Sequence, residues 1–140
     1  IDQTNLSHLS AQQQFSLLLV DTDHFKNIND LFGHLKGDEV LIALSRTLEA
    51  CSRQDDLVFR WGGEEFVILL PRTSLETALK IAESVRAAVA HITLPGLPRF
   101  TVSIGVARHD PEESIDALFK RVDDALYRAK NDGRNKVLAA

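Results

Sequence analysis

Methionine is absent from the 140-residue chain, and cysteine, tryptophan and tyrosine each occur once. A single cysteine, Cys51, excludes an internal disulfide and any thiolate-based zinc cluster. It falls on the apolar side of a predicted helix, where a thiol packs as a small hydrophobe, and it is compatible with a reducing cytoplasm. No apolar run approaches the roughly 20 residues that a membrane-spanning helix needs. The run over residues 66–70, none longer in the chain, suits a buried strand. Residues 1–14 are polar and lack the basic-then-apolar order of a secretory signal. A basic excess is missing too, since 20 acidic residues outnumber 16 basic ones for a formal charge of −4. Nucleic acid and a bare membrane surface are therefore not expected partners, whereas a small polyanion can bind where a few cations and a metal ion converge. Without methionine at position 1, the chain is expected to be a piece of a longer protein.

What is present suits one soluble domain with a real core, at 44% apolar and 26% charged residues. Residues 15–20 form a short apolar run, hence a buried strand, followed by a polar turn over 21–24. A short helix is expected from Phe25 to a stop at Gly33, and a second one opens at Gly37-Asp38 with Val40, Leu41, Leu44, Leu48 and Cys51 at helical spacing. Residues 57–61 and 66–70 read as a β-hairpin whose tip holds Gly62-Gly63, a pair that permits positive φ, and two glutamates. Pro71 ends the ladder. Ser74 can cap a helix striped with Leu75, Ala78, Leu79, Ala82, Val85, Val89 and Ile92. Phe100, Val102, Ile104 and Val106 predict a strand with one buried face. A last helix follows Ser114 and stops at Gly133, and residues 135–138 form a final strand. The order β-α-α-β-β-α-β-α-β predicts an α/β sandwich, a mixed central β-sheet flanked by helices.

Three segments carry chemistry. Gly62-Gly63-Glu64-Glu65-Phe66 offers carboxylates at a tip where glycines let a nucleotide approach the backbone. Magnesium takes hard oxygen ligands, commonly one or two carboxylates completed by water and phosphate oxygens. A plain turn with solvated glutamates fits those five residues equally well. Asp21-Thr22-Asp23-His24-Phe25-Lys26 lies between a strand and a helix whose free N–H groups can bind an anion, although an N-cap aspartate is the commoner use of such a position. His24 reads as a surface turn histidine. Lys130 and Arg134 suit either the helix C-terminal dipole or phosphate charge.

These segments occur together with Asn27-Ile28-Asn29-Asp30, Gly33-His34, Gly37-Asp38, Ser103-Ile104-Gly105, Ala125-Leu126-Tyr127-Arg128-Ala129-Lys130 and Gly133-Arg134-Asn135. In order and spacing, from about residue 15 to the C-terminus, the combination resembles GGDEF-domain diguanylate cyclases. The resemblance implies a fold like that of class III nucleotidyl cyclases and polymerase palm domains. It implies that Asp21 and Glu64 hold magnesium, or manganese in its place, with the Thr22 carbonyl assisting. Phe25 and Lys26 would meet phosphates through the backbone, Asn29 and Asp38 would read guanine, and Lys130 and Arg134 would contact the triphosphate. Glu64 is the nearest candidate base, and Glu65 matches a position needed for activity. Arg53 and Asp56 match an inhibitory product-binding site, with a charge cluster ending a helix as the plainer alternative. Arg60 fits the pattern without an assigned contact.

The implied reaction joins two GTP into cyclic di-GMP, each domain of a homodimer holding one GTP. An upstream sensor or receiver domain would bring the pair together. The domain would be cytoplasmic, with the parent protein free to be membrane-anchored. Residues 15–140 carry the resemblance, while 1–14 have no counterpart to the family's opening motif. Two other readings remain: a catalytically impaired domain that binds GTP or cyclic di-GMP to regulate a partner, and a ligand-free dimerisation domain.

Overall fold

The computed structural model describes residues 14–140, so the 1–13 part of the N-terminal segment lies outside the described residues. Nine elements follow in the expected order: β1 (Phe15–Thr22), α1 (Phe25–Phe32), α2 (His34–Cys51), β2 (Leu57–Arg60), β3 (Glu65–Pro71), α3 (Leu75–Ala90), β4 (Val102–Arg108), α4 (Ile115–Asn131) and β5 (Val137–Ala139). The strands form one sheet in the order β2-β3-β1-β4-β5. All neighbours are antiparallel except the parallel pair β4–β5.

A separate core packs on each face. Leu18, Val20, Ile68 and Ile104 meet α1, α2 and α3 through residues such as Ile28, Leu44 and Val85. Leu17, Leu19, Val67 and Leu69 meet Leu118, Val122 and Leu126 of α4. Burial on both faces explains why β1 and β3 are continuous apolar runs with no alternation. Ser74 and Ser114 cap α3 and α4 by accepting from the N–H groups of Thr77 and Ala117 at 3.2 and 3.1 Å. No described helix is long and apolar enough to cross a membrane.

Several boundaries differ from the sequence reading. β1 runs on through Asp21 and Thr22, because both keep ladder partners on β4 and Asp21 also pairs with Glu65. α2 starts at His34, straight after Gly33 turns the chain at φ 89°. Gly37 is thus not a helix opener: a Cβ there would lie 1.8 Å from Asn29 Oδ1. β4 begins at Val102 and buries both faces, with Ser103, Gly105 and Ala107 as small residues between the larger ones. Gly105 lets α4 come close, since an added Cβ would lie 2.4 Å from the Val122 carbonyl oxygen and 2.9 Å from Leu126 N. Cys51 is half-buried against the first core, and burial pushes its thiol up.

Those obstructing atoms are backbone and have no rotamer to yield. Gly105→Ala is expected to destabilise the domain by about 2–3 kcal/mol, read as a lower urea midpoint at unchanged slope.

Candidate active site

Asp21 is buried at the end of β1 on the face covered by α4. From α4, Lys130 reaches across to donate to Asp21 Oδ2 at 2.5 Å. Among the described residues, Asp21 Oδ1 is buried without a hydrogen-bond partner, as is the neighbouring Thr22 Oγ1. A buried acceptor left bare costs about 1–3 kcal/mol, so an orphaned carboxylate oxygen marks a place where a ligand belongs.

The hairpin tip brings the second carboxylate. Trp61 N–H and Gly62 N–H both donate to the Glu65 carbonyl, at 2.8 and 3.3 Å. Arg60 donates to the carbonyls of Gly62 and Gly63, stapling the loop from beneath. Neither Gly62 nor Gly63 has a positive φ, contrary to the hairpin reading, because residues 61–64 make a longer loop than a tight two-residue turn. Their smallness serves space instead. A Cβ on Gly62 would come 2.9 Å from Glu65 Oε1, and one on Gly63 would enter open space. Trp61 stacks on Phe119 of α4, ring centroids 4.5 Å apart.

Glu64 and Asp21 converge. Burial first, then the charge of Asp21, push Glu64 above the usual carboxylate range, and Lys130 opposes the shift. Glu65, directly across the ladder from Asp21, is pushed up by burial, then by the charge of Asp21. Among the described residues, no three histidine, cysteine or acidic side chains cluster as a metal cage. Two carboxylates with one bare oxygen fit an ion that completes its shell with water and substrate oxygens, which is the habit of magnesium.

Two cavities meet at this point. One, of about 570 Å³, is lined by Phe25, Lys26, Asn29, Asp38, Arg60, Gly63, Glu64 and Glu65 among others. The other, of about 230 Å³, is lined by Thr22, Asp23, His24, Phe25, Lys26, Asn27, Glu64, Lys130 and Arg134. Phe25, Lys26 and Glu64 belong to both. The first turn of α1 presents N–H groups that have no intrahelical acceptor there. Asn29 Oδ1 is also buried without a partner among the described residues. His24 is an exposed turn residue at φ 56°.

Arg53 and Asp56 lie before β2, at the end away from the glycine tip. Asp56, its side chain 1% exposed, already accepts from both the Arg53 backbone N–H at 2.8 Å and the Arg53 guanidinium at 2.9 Å. Two contributors received no role in the sequence reading. Arg60 fitted the pattern without an assigned contact, and Asp23 hid behind its neighbour Asp21, though a serine inside the apolar run of β4 hints at its partner.

A family model described as "Diguanylate cyclase, GGDEF domain" matches residues 2–136. The chain belongs to that family. The match takes in most of the 1–14 segment set apart above. Among curated GGDEF relatives, the diguanylate cyclase DgcM of Escherichia coli K12 is 72% identical over 135 residues, 96% of this chain and 33% of that protein. The chain thus spans about a third of the length of that relative. The crystal structure of the GGDEF domain of DgcB from Caulobacter crescentus in complex with c-di-GMP superposes with a TM-score of 0.92 at 31% identity, covering 97% of this chain and 86% of that one. The active GGEEF domain of a Vibrio cholerae diguanylate cyclase gives a TM-score of 0.90 at 35% identity, covering 98% and 92%. This GGDEF chain likewise carries a GGEEF tip, at Gly62 to Phe66. The fold is the α+β sandwich of that family.

Glu64 binds its proton more tightly in the native fold than in the unfolded chain, so its destabilising effect is absent in acid and complete above its raised native value. Solvent screens part of it. Glu64→Gln is therefore expected to raise the melting temperature of the metal-free domain by roughly 1–3 °C at neutral pH. That gap should close as the pH falls below the ordinary glutamate range, which melting curves across pH 3 to 8 would reveal.

Proposed function

We propose that this domain condenses two GTP molecules into cyclic di-GMP. The observation that carries the proposal is the convergence of Asp21 and Glu64, with a bare buried oxygen, beside a cavity edged by Asn29 and Asp38. The reaction forms two 3′-oxygen–phosphorus bonds, breaks two bonds between α and β phosphates, and releases two pyrophosphates and two protons.

Asp21, Glu64 and the Thr22 carbonyl would hold magnesium, or manganese in its place. When bound, the cation would supply positive charge against the phosphates and lower the repulsion that an incoming oxygen meets. The N–H groups at Phe25 and Lys26 fix phosphate oxygens, with the positive end of α1 behind them. Lys130 and Arg134 neutralise the triphosphate. Asn29 and Asp38 select guanine, because a carboxylate accepts from both N1–H and N2–H of that base, and adenine lacks the donor pair. Glu64 is the nearest candidate base for the proton of the attacking hydroxyl, and Glu65 shapes the charge around it.

Each domain holds one GTP, so turnover needs two domains facing one another, brought together by a sensor or receiver domain elsewhere in the parent protein. The work is done in the cytoplasm, with the parent protein soluble or anchored. Arg53 and Asp56 form a product-binding inhibitory site. The c-di-GMP bound by the similar DgcB domain supports the ligand class. Arg53 keeps an exposed guanidinium for that ligand, with Asp56 acting as its buried anchor.

One observation favours a second reading, a nucleotide-binding regulatory module without turnover: Lys130 already answers the Asp21 charge through Oδ2 and leaves only Oδ1 for a cation. Turnover by a dimer enforced through a fused zipper separates the two. Magnesium-dependent cyclic di-GMP is expected, with a loss of about a thousandfold or more in Glu64→Gln. GTP binding with no product would leave the regulatory reading standing. Asp38→Ala is expected to weaken GTP about 10- to 100-fold and to narrow its lead over ATP, as a buried donor pair then lacks an acceptor.

A further inference from the structure

Asp23 lies between the residues given roles above and has none itself. It is a carboxylate only 4% exposed, and among the described residues it forms no ion pair. Its charge rests on three neutral donors. Oδ2 accepts from Thr101 Oγ1 at 2.6 Å and from the Asn135 backbone N–H at 3.0 Å, while Oδ1 accepts from Ser103 Oγ at 2.7 Å. Its own N–H donates to the Thr101 carbonyl at 2.9 Å. A negative charge beside a phosphate cavity repels the ligand, so its retention calls for a reason. A carboxylate accepts from all three donors, whereas an amide accepts only at its one oxygen, so its N–H would force the buried Ser103 hydroxyl to reverse and leave that hydroxyl proton without this acceptor.

What those bonds hold is a strained loop. Gly133, Arg134 and Asn135 are all left-handed, at φ 102°, 62° and 48°. Two successive non-glycine residues in that region persist only where surroundings impose it. Arg134 N–H donates to the Ala129 carbonyl at 3.0 Å, and Arg86 donates to Asn135 Oδ1 at 2.9 Å. Arg134 is thereby held on the wall of the smaller cavity, opposite the α1 turn that starts beside Asp23.

We infer that Asp23 is a positioning residue for the triphosphate, clamping the 133–135 loop to the β1–α1 turn so that Arg134 faces the phosphates. This rests on the GTP reading above. The test is a double-mutant cycle on GTP affinity, measured by calorimetry with magnesium on this chain. Asp23→Asn and Arg134→Ala are each expected to weaken GTP about tenfold, and the double variant no more than Arg134→Ala alone. Where Asp23→Asn melts, Ser103→Ala releases Oδ1 alone. It is expected to weaken GTP about two- to threefold with Arg134 present and not at all without it. A loss from Asp23→Asn that persists in full in the Arg134→Ala background reveals a general structural role and overturns the inference, as does unchanged affinity in Asp23→Asn. Absence of GTP binding by the unaltered chain would remove the functional reading, and this inference with it.

Discussion

Two carboxylates held against one another at the end of a buried strand set the terms for the rest of this molecule. Asp21 and Glu64 raise each other's energy, and Lys130 relieves only part of it through one oxygen of Asp21. An isolated turn would let such charges drift into water. Here Asp21 cannot leave, because β1 pairs on both sides and is buried on both faces. The glutamate is held by a tip whose carbonyls Arg60 secures. The fold stores an unmet electrostatic demand that a cation can satisfy.

The two cores have different duties in that arrangement. The helices α1, α2 and α3 cover one face and bring Asn29, Asp38 and the α1 N-terminus to the mouth of the larger cavity. α4 covers the other face and delivers Lys130, with Arg134 on the loop beyond it. Gly105 permits the closeness of α4 to β4 on which the reach of Lys130 depends. The residues proposed to select guanine and those proposed to neutralise phosphate thus come mainly from opposite sides of one sheet and meet at its rim.

The element order was legible because the period changes cleanly along the chain, from continuous runs at β1 and β3 to helical stripes at α3 and α4. The carboxylates of the candidate site were picked out by spacing and resemblance. Pairwise geometry was not. Nothing in the run from Arg53 to Asp56 says that the acid is sealed beneath the base, and nothing in two glycines distinguishes a need for φ from a need for room. Single-strand patterns also miss what a central position does: β4 was read as one-faced because its small residues looked solvated, whereas Ser103 is bonded to Asp23 and Gly105 lies against α4. Each miss concerns a contact between segments distant in sequence.

The stack of Trp61 on Phe119 has an optical consequence. Trp61 is the sole indole in the chain and sits next to Gly62, half out of solvent. Ultraviolet emission from the native molecule therefore originates at one spot, the hairpin tip beside Gly62, with no competing fluorophore of its kind. The domain carries a built-in optical gauge of whatever settles beside its glycine loop.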